Sequence, residues 1–281
     1  MSGFSPEWLQ LREPVDHRSR DSELAAALEG AMAGRANIEI VDLGCGAGSN
    51  LRGTFSHLPD QQSWTLVDYD PRLLDAARTT LIAWADRHEL DGDRLTIEKS
   101  GKRLSVRFRR ADLNTELERA LGDAPDLVTA AAFFDLTSAD FIGRLVLAVS
   151  RRRAAFYTVL TYNGDQTWTP WHQSDRRLLN AFHDHQHGDK GFGPAAGPTA
   201  PVVLAAAFQA AEYVVHEGDS PWRLDVGEAQ LIGDLATGFA AAAGETGTVN
   251  ATTISEWLGV RRSAAVVGHT DTLALPLPAK G

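Results

Sequence analysis

The sequence predicts an α/β fold: a seven-stranded, mostly parallel sheet with helices on both faces and an inserted segment on the substrate side. Two observations carry that expectation. Short runs of apolar, β-branched and aromatic residues alternate with longer helix-compatible stretches, the order that sets parallel strands side by side with helices crossing between them. The first run also passes directly into a glycine-rich turn, Gly44-Cys45-Gly46-Ala47-Gly48, at what would be the carboxyl end of a strand.

Ahead of that strand, 22–32 is rich in Ala, Leu and Glu. With Asp21 or Ser22 as a cap and Gly34 as a stop, it reads as a helix within a helical N-terminal segment, 1–36. Strands are expected at 38–43, 64–69, 104–108, 126–131 and 154–161. A sixth at 212–217 and a seventh at 264–275 close the sheet, the last interrupted by Gly268-His269-Thr270-Asp271. Further helices are expected at 73–87, 140–150, 174–187, 201–211 and 228–243. The Gly- and Pro-rich stretch 188–201 is a loop, and together with 162–187 it makes a connection longer than a single crossover helix requires. The insertion is therefore drawn at 162–211, within one domain covering 1–281. Long connections of this kind often carry function.

A chain of 281 residues, 43% of them hydrophobic, can bury a sizeable core. Its formal charge of −10 argues against a nucleic-acid partner, whose phosphates are held by clustered Lys and Arg. Cys45 is the single cysteine, so no intrachain disulfide forms, and the start Met1-Ser2-Gly3-Phe4-Ser5-Pro6-Glu7 lacks the basic-then-apolar pattern of a signal peptide. No apolar run reaches the roughly 20 residues that span a bilayer. The expectation is a soluble cytoplasmic protein with no membrane partner; its oligomeric state is not written in the sequence.

The glycine turn carries the chemistry. Residues without a Cβ let the backbone turn sharply and approach a ligand. A dinucleotide fingerprint wants G-x-G-x-x-G or A, but here Ser49 occupies the last position while Gly48 completes G-x-G-x-G. About 20 residues on, Trp64-Thr65-Leu66-Val67-Asp68-Tyr69-Asp70-Pro71 reads as a strand ending in an acid placed to accept from a ribose diol, and Asp70 caps the helix that Pro71 opens. Arg110-Ala111-Asp112-Leu113 follows the third strand.

In this order the three segments resemble the cofactor motifs of class I, Rossmann-like S-adenosylmethionine-dependent methyltransferases. The resemblance implies S-adenosylmethionine as cofactor and a role for each match. Gly44, Gly46 and Gly48 would surround the methionine part, with Asp42 facing its ammonium group. Asp68 would hold the ribose, Tyr69 would lie beside the adenine, and Asp112 with Leu113 would form the adenine turn. The implied activity is methyl transfer to an O or N atom of a small-molecule acceptor. A macromolecular acceptor and a non-catalytic cofactor-binding protein are the alternatives. The fourth strand ends in Phe133-Phe134-Asp135-Leu136, without the Asn- or Asp-Pro-Pro-aromatic tetrapeptide common in members acting on base amines.

The acceptor is expected against loops at the carboxyl ends of the strands. Phe134, Trp168, Trp171, His183, His187, Lys190 and Phe192 are the candidate substrate contacts. Trp168 and Trp171 suit stacking on a planar acceptor or caging a cation, and equally suit packing of the inserted segment. For catalysis, His185, chosen among His183, His185 and His187, would take the acceptor's proton, with Tyr162 and Asp135 orienting it. No metal set is assigned: His183 and His187 share a helical face but lack a clear third ligand, and Gly164 separates Asn163 from Asp165. The basic residues Lys99, Lys102, Arg103, Arg107, Arg109 and Arg110 surround the third strand, expected at a sheet edge where charge discourages pairing.

Overall fold

The computed structural model describes residues 5–277. Two helices, α1 (Pro6–Ser19) and α2 (Ser22–Met32), precede β1 (Ile38–Leu43). Helix α3 (Ser49–Thr54) leads to β2 (Gln61–Asp68), and α4 (Pro71–Trp84) to a run of three strands, β3 (Arg87–Asp91), β4 (Arg94–Lys99) and β5 (Lys102–Arg110). Then come α5 (Leu113–Leu121), β6 (Leu127–Ala131), α6 (Ala139–Arg152) and β7 (Ala155–Thr169). Helices α7 (Asp175–Gln186) and α8 (Ala200–Ala210) precede β8 (Tyr213–Asp219) and β9 (Trp222–Leu224), and α9 (Ala229–Glu245), α10 (Ala251–Leu258) and β10 (Ala264–Pro276) complete the chain.

The strands form one sheet in the order β3-β4-β5-β2-β1-β6-β7-β10-β8, with β9 pairing β10. The strands β5, β2, β1, β6 and the first part of β7 run parallel, and β10 lies antiparallel to β7. The expected mostly parallel sheet with helices on both faces is present. Its seven predicted strands are all there, and three more join them.

Two of the added strands correct the reading of the basic stretch. A hairpin turning at Gly92 places β3 and β4 beyond β5, so β5 is interior and β3 is the edge. Leu95, Ile97, Leu104 and Val106 are fully buried. Arg94, Arg103 and Arg107, at alternate positions on the same strands, are exposed, so this part of the sheet has one wet face.

A second correction concerns β7. The sequence ends the fifth strand at 161 and begins the long connection at 162, but the strand continues to Thr169 and pairs with the first part of β10, His269 and Thr270 of the segment expected to interrupt that strand facing Tyr162 and Thr161. Register shifts at Val267/His269 and Thr270/Thr272 absorb the mismatch. The extension forms an arm beyond the parallel sheet. Trp168, Phe182, Phe239 and Trp257 pack there with ring centroids 4.9–5.8 Å apart, joining β7 to α7, α9 and α10. Helix α8 belongs to the main sheet instead, with Phe208 against Phe156 of β7 at 4.6 Å.

Sequence logic accounts for most helix starts. Ser5, Asp21, Asp70, Asp112, Ser138 and Asn250 each accept a backbone N–H as N-caps, and Pro6 and Pro71 occupy first-turn positions where the missing N–H costs nothing. Asp271, fully buried in β10, holds three segments together. It accepts from the Asp21 and Leu160 N–H groups at 2.9 and 2.7 Å and from the Ser220 hydroxyl. This fixes the entry to α2 against the end of the parallel part of β7. No helix among the described residues is long and apolar enough to cross a membrane.

Candidate active site

A cleft of about 720 Å³ opens at the carboxyl ends of β1, β2, β5 and β6. Its volume lies within the range of roughly 300–1,000 Å³ typical of small-molecule sites. Three walls meet there: the glycine turn, the acid-bearing segments that follow β2 and β5, and helix α1.

The glycine turn and Asp68 are one built unit. Gly46 N–H donates to Asp68 Oδ2 and Asp70 N–H to Asp68 Oδ1, both at 2.9 Å, so the carboxylate is fixed at the cleft wall with lone pairs to spare. Burial raises its pKa. Tyr69, Asp112 and Leu113 line the same end. Tyr69 is exposed at the rim, Leu113 is buried, and Asp112 spends one carboxylate oxygen on the Asn114 N–H that starts α5.

Helix α1 supplies Leu9, Arg12, Asp16 and, just past its end, Arg20. Arg12 Nε donates to Asp16 at 2.8 Å, its guanidinium lies 5.0 Å over the Trp222 ring, and Trp222 Nε1 donates back to Asp16. Two further ties hold the helix down. Arg52, buried in α3, pairs with Glu13, and His17 Nε2 meets the Ser49 carbonyl and hydroxyl at 3.0 Å. Arg20 donates through Nη1 to Thr54 at 2.8 Å, while its Nε is buried without a partner among the described residues.

Asp42 does not line the cleft. It is fully buried beneath the turn and accepts from Asn50 Nδ2 at 2.8 Å, and Asn50 is the residue that reaches the cleft. Its other oxygen is unpartnered among the described residues, and burial pushes the carboxyl up to about 7. A proton held by the folded state above the ordinary carboxylate range makes stability fall as pH rises from about 4 to about 7, on the order of 1.4 kcal/mol per pH unit. Asp42→Asn is therefore expected to melt with a flatter pH dependence across that window than wild type, in thermal denaturation followed by circular dichroism. Parallel curves would exclude the buried-acid explanation.

The remaining expectations divide. Gly44, Gly46, Asp68, Tyr69, Asp112, Leu113, Lys190 and Phe192 line the cleft. Gly48 does not; it is the N-cap of α3 at φ +76°, a left-handed conformation that favours glycine. Phe134 is fully buried against Phe156, Trp168 is buried in the arm, and Trp171 is exposed at the surface. His187 Nδ1 bonds the Ala195 carbonyl. His185 bonds Glu245 on α9 at 2.9 Å, at the outside of the arm. Tyr162 and His183 do come together, with hydroxyl and Nε2 3.0 Å apart. Asp135 is half-buried on the turn between Phe133 and Leu136, and burial lifts its carboxyl to about 6 against the pull of Arg12.

Sequence reasoning missed Arg12, Asp16, Arg20, Asn50, Phe133 and Leu160 as cleft residues. Their signal is tertiary: α1 carries Pro14 and little apolar periodicity, and only its docking shows which side chains face inward. Among the described residues, no three His, Cys, Asp or Glu side chains gather as a metal site.

Fold and cleft together define a Rossmann-like α/β protein with a cleft of small-molecule size at the carboxyl ends of its parallel strands. Solved structures share that fold. The cyclopropane-fatty-acyl-phospholipid synthase-like protein from Lactobacillus casei ATCC 334 aligns with a TM-score of 0.53 at 14% identity, covering 94% of this chain and 92% of that one. The YcgJ protein from Bacillus subtilis aligns at 0.51 and 13%, covering 92% and 100%. Cyclopropane synthase MmaA2 from Mycobacterium tuberculosis aligns at 0.50 and 11%, covering 96% and 94%. No family model and no curated protein matches the sequence.

Proposed function

We propose that this protein binds S-adenosylmethionine in the cleft and transfers its methyl group to an O or N atom of a small molecule. The observation that carries the reading is Asp68, a carboxylate locked by the glycine turn and aimed into a nucleoside-sized cleft whose same end holds Tyr69, Asp112 and Leu113. The residues present fit the cofactor. Asp68 takes the ribose hydroxyls, Tyr69 and Leu113 flank the adenine, and Asp112 accepts from its amine through the oxygen not used by Asn114. Arg20, with unspent donor capacity, meets the methionine carboxylate, while Asn50 and the turn support the rest of that moiety. Residues 42 and 48 act behind the site.

When bound, the cofactor supplies an activated methyl group. The protein's own contribution is to align the acceptor and to exclude water. Leu9, Phe133, Leu136, Leu160 and Phe192 give the cleft apolar walls, Leu9 from α1. A small acceptor suits a cleft of this size, and the acidic net charge is consistent with that choice.

Calorimetry of the full chain with S-adenosylmethionine and, separately, NAD tests the cofactor assignment; binding of NAD alone would end it. Radiolabelled cofactor offered with metabolite pools, RNA or protein then tests the acceptor class, with label expected in small metabolites. Arg20→Gln is expected to weaken S-adenosylmethionine by about 10–100-fold, the worth of one charge-assisted pair. Methylthioadenosine, which lacks the carboxylate, should bind the variant as it binds wild type. Equal losses for both ligands would place Arg20 in the fold rather than on the cofactor.

A further inference from the structure

A second cavity, of about 610 Å³, lies where the end of α1, the turn from β8 to β9 and the extended part of β7 meet β10, and it shares no lining residue with the cleft. Its origin is the mismatch between β7 and β10. Tyr162 pairs His269 and Gln166 pairs Val267, so Asn163, Gly164 and Asp165 of β7 stand opposite Gly268 alone. Bulges re-aim side chains. This one sets Asn163 and Asp165 on the cavity wall, and it comes close because Gly268 has no side chain: a Cβ there would lie 2.7 Å from Asp165 Cβ. Arg18 near the end of α1, Asp219 at the end of β8 and Arg223 of β9 complete the charged lining.

That lining has binding capacity the protein does not use. Asp165, Asp219 and Arg223 are exposed, and among the described residues no salt bridge or side-chain hydrogen bond engages their charged ends. Arg18 gives one nitrogen to Glu228 at 2.7 Å and keeps its other donors. His269 forms the deep wall. It is 6% exposed, its Nδ1 is buried without a partner among the described residues, and burial pushes its pKa down to about 3, so the ring is neutral. A buried nitrogen with no partner is an exception in folded proteins, and here it belongs to a ring that lines a cavity. Trp222 stands against both sites, its ring 5.3 Å from that of His269 and 5.0 Å from the Arg12 guanidinium of the cleft.

We propose that this cavity is a second small-molecule site and that its ligand is a free amino acid, lying over Gly268 with its ammonium group on Asp165 and its carboxylate on Arg223. The sheet order sets the span. Strand β10 runs between β7 and β9, so Asp165 and Arg223 rise on either side of it, from backbones about 10 Å apart, and their long side chains converge over a floor without a side chain. Charge sets the class. With Arg18 and Arg223 facing the same space as Asp165 and Asp219, a simple anion meets two carboxylates and a polyamine meets two guanidiniums, whereas a zwitterion pairs at both ends. Asn163 and His269 offer neutral polar groups to the rest of the ligand. The site stands independently of the methyl-transfer reading.

Calorimetry of the full chain against each of the common amino acids, followed by the N-acetyl and amide derivatives of any that binds, reads the site. At least one amino acid is expected to bind, and blocking either its ammonium or its carboxylate should cost about tenfold or more in affinity. Arg223→Gln and Asp165→Asn change exposed positions, so both variants should melt as wild type does. Each should weaken the amino acid by about tenfold or more and leave S-adenosylmethionine binding unchanged. The cleft is the rival location, because the cofactor proposed for it carries an amino-acid end. Arg20→Gln is the control and should leave the amino acid's affinity as it is. Binding that falls in Arg20→Gln and survives in Arg223→Gln would put the ligand in the cleft and overturn the second site. Absence of binding by every amino acid at about 10 mM would overturn it too. Failure of S-adenosylmethionine to bind would instead refute the cofactor reading, and the Arg223 and Asp165 variants would still decide this one.

Discussion

Asp68→Ala is expected to raise the Kd for S-adenosylmethionine by at least about a hundredfold while the protein stays folded. Two charge-assisted hydrogen bonds to a ribose diol are each worth about 1.5–3 kcal/mol, and every 1.4 kcal/mol is about tenfold in affinity. A second loss adds to the first. Asp68 Oδ2 also accepts from Gly46 N–H, so its removal frees the middle of the glycine turn and costs the cleft its preorganised shape. Asp68→Asn separates the two contributions. Its amide oxygen can keep one backbone contact but carries no charge, so a loss of about tenfold is expected. Calorimetry gives the affinities and thermal melts confirm the fold. An Asp68→Ala affinity within about threefold of wild type would remove the ribose assignment and, with it, the main support for the proposed cofactor.

The parts of this site that are local in the chain were legible in the sequence. A strand, a glycine turn and an acid about 20 residues later are set by spacing alone, and Gly44, Gly46 and Asp68 stand in the cleft where that spacing puts them. What spacing does not fix is which side of the strand an acid faces. Asp42 points into the protein toward Asn50, one step back from the role the resemblance implies. The arm was misread for a physical reason. Asn163-Gly164-Asp165 has the composition of a turn, yet it is a bulge inside β7: Tyr162 pairs His269 and Gln166 pairs Val267, and Gly164, at φ +98°, lies in the unpaired stretch between them. Trp168 then becomes core rather than ligand contact.

The missed β-hairpin shows the opposite error. Asp91-Gly92 and Ser100-Gly101 are turn signals, and Ser100 and Gly101 both have positive φ, as a two-residue hairpin turn requires. They went unread because β3 is exposed along its whole length and so lacks the alternation that marks a half-buried strand. Arg12 and Arg20 were invisible for another reason: their meaning comes from the Asp16–Trp222 and Thr54 contacts made when α1 and the segment after it dock on distant elements. Acceptor chemistry was sought between 162 and 193. Of that segment the cleft receives Lys190, Gly191 and Phe192, whereas α1 and the β6 turn give it more.

Gly44→Ala should damage stability and binding at once, because a single added methyl meets both a positive φ and an aromatic wall of the cleft. Gly44 sits at φ +63°, a region that costs an L-residue about 1–2 kcal/mol, and its new Cβ would fall 2.7 Å from Phe133 Cδ2. Phe133 has little room to retreat, since its ring is met edge-on by Phe134, Phe141 and Phe192 at centroid distances of 5.2, 6.1 and 5.7 Å. Overpacking of this kind costs about 1–3 kcal/mol, so a total near 2–5 kcal/mol is expected, or a fall in Tm of about 3–9 °C. The cleft is the open side, and a displaced Phe133 ring would enter it and exclude the cofactor. Stability and binding should therefore fail together. Adding Phe133→Ala separates the two causes: the double variant should recover cofactor affinity relative to Gly44→Ala while keeping the backbone cost of the positive φ. Additive losses across that double-mutant cycle would show that Gly44 acts through its conformation alone and that Phe133 is not the wall it presses on.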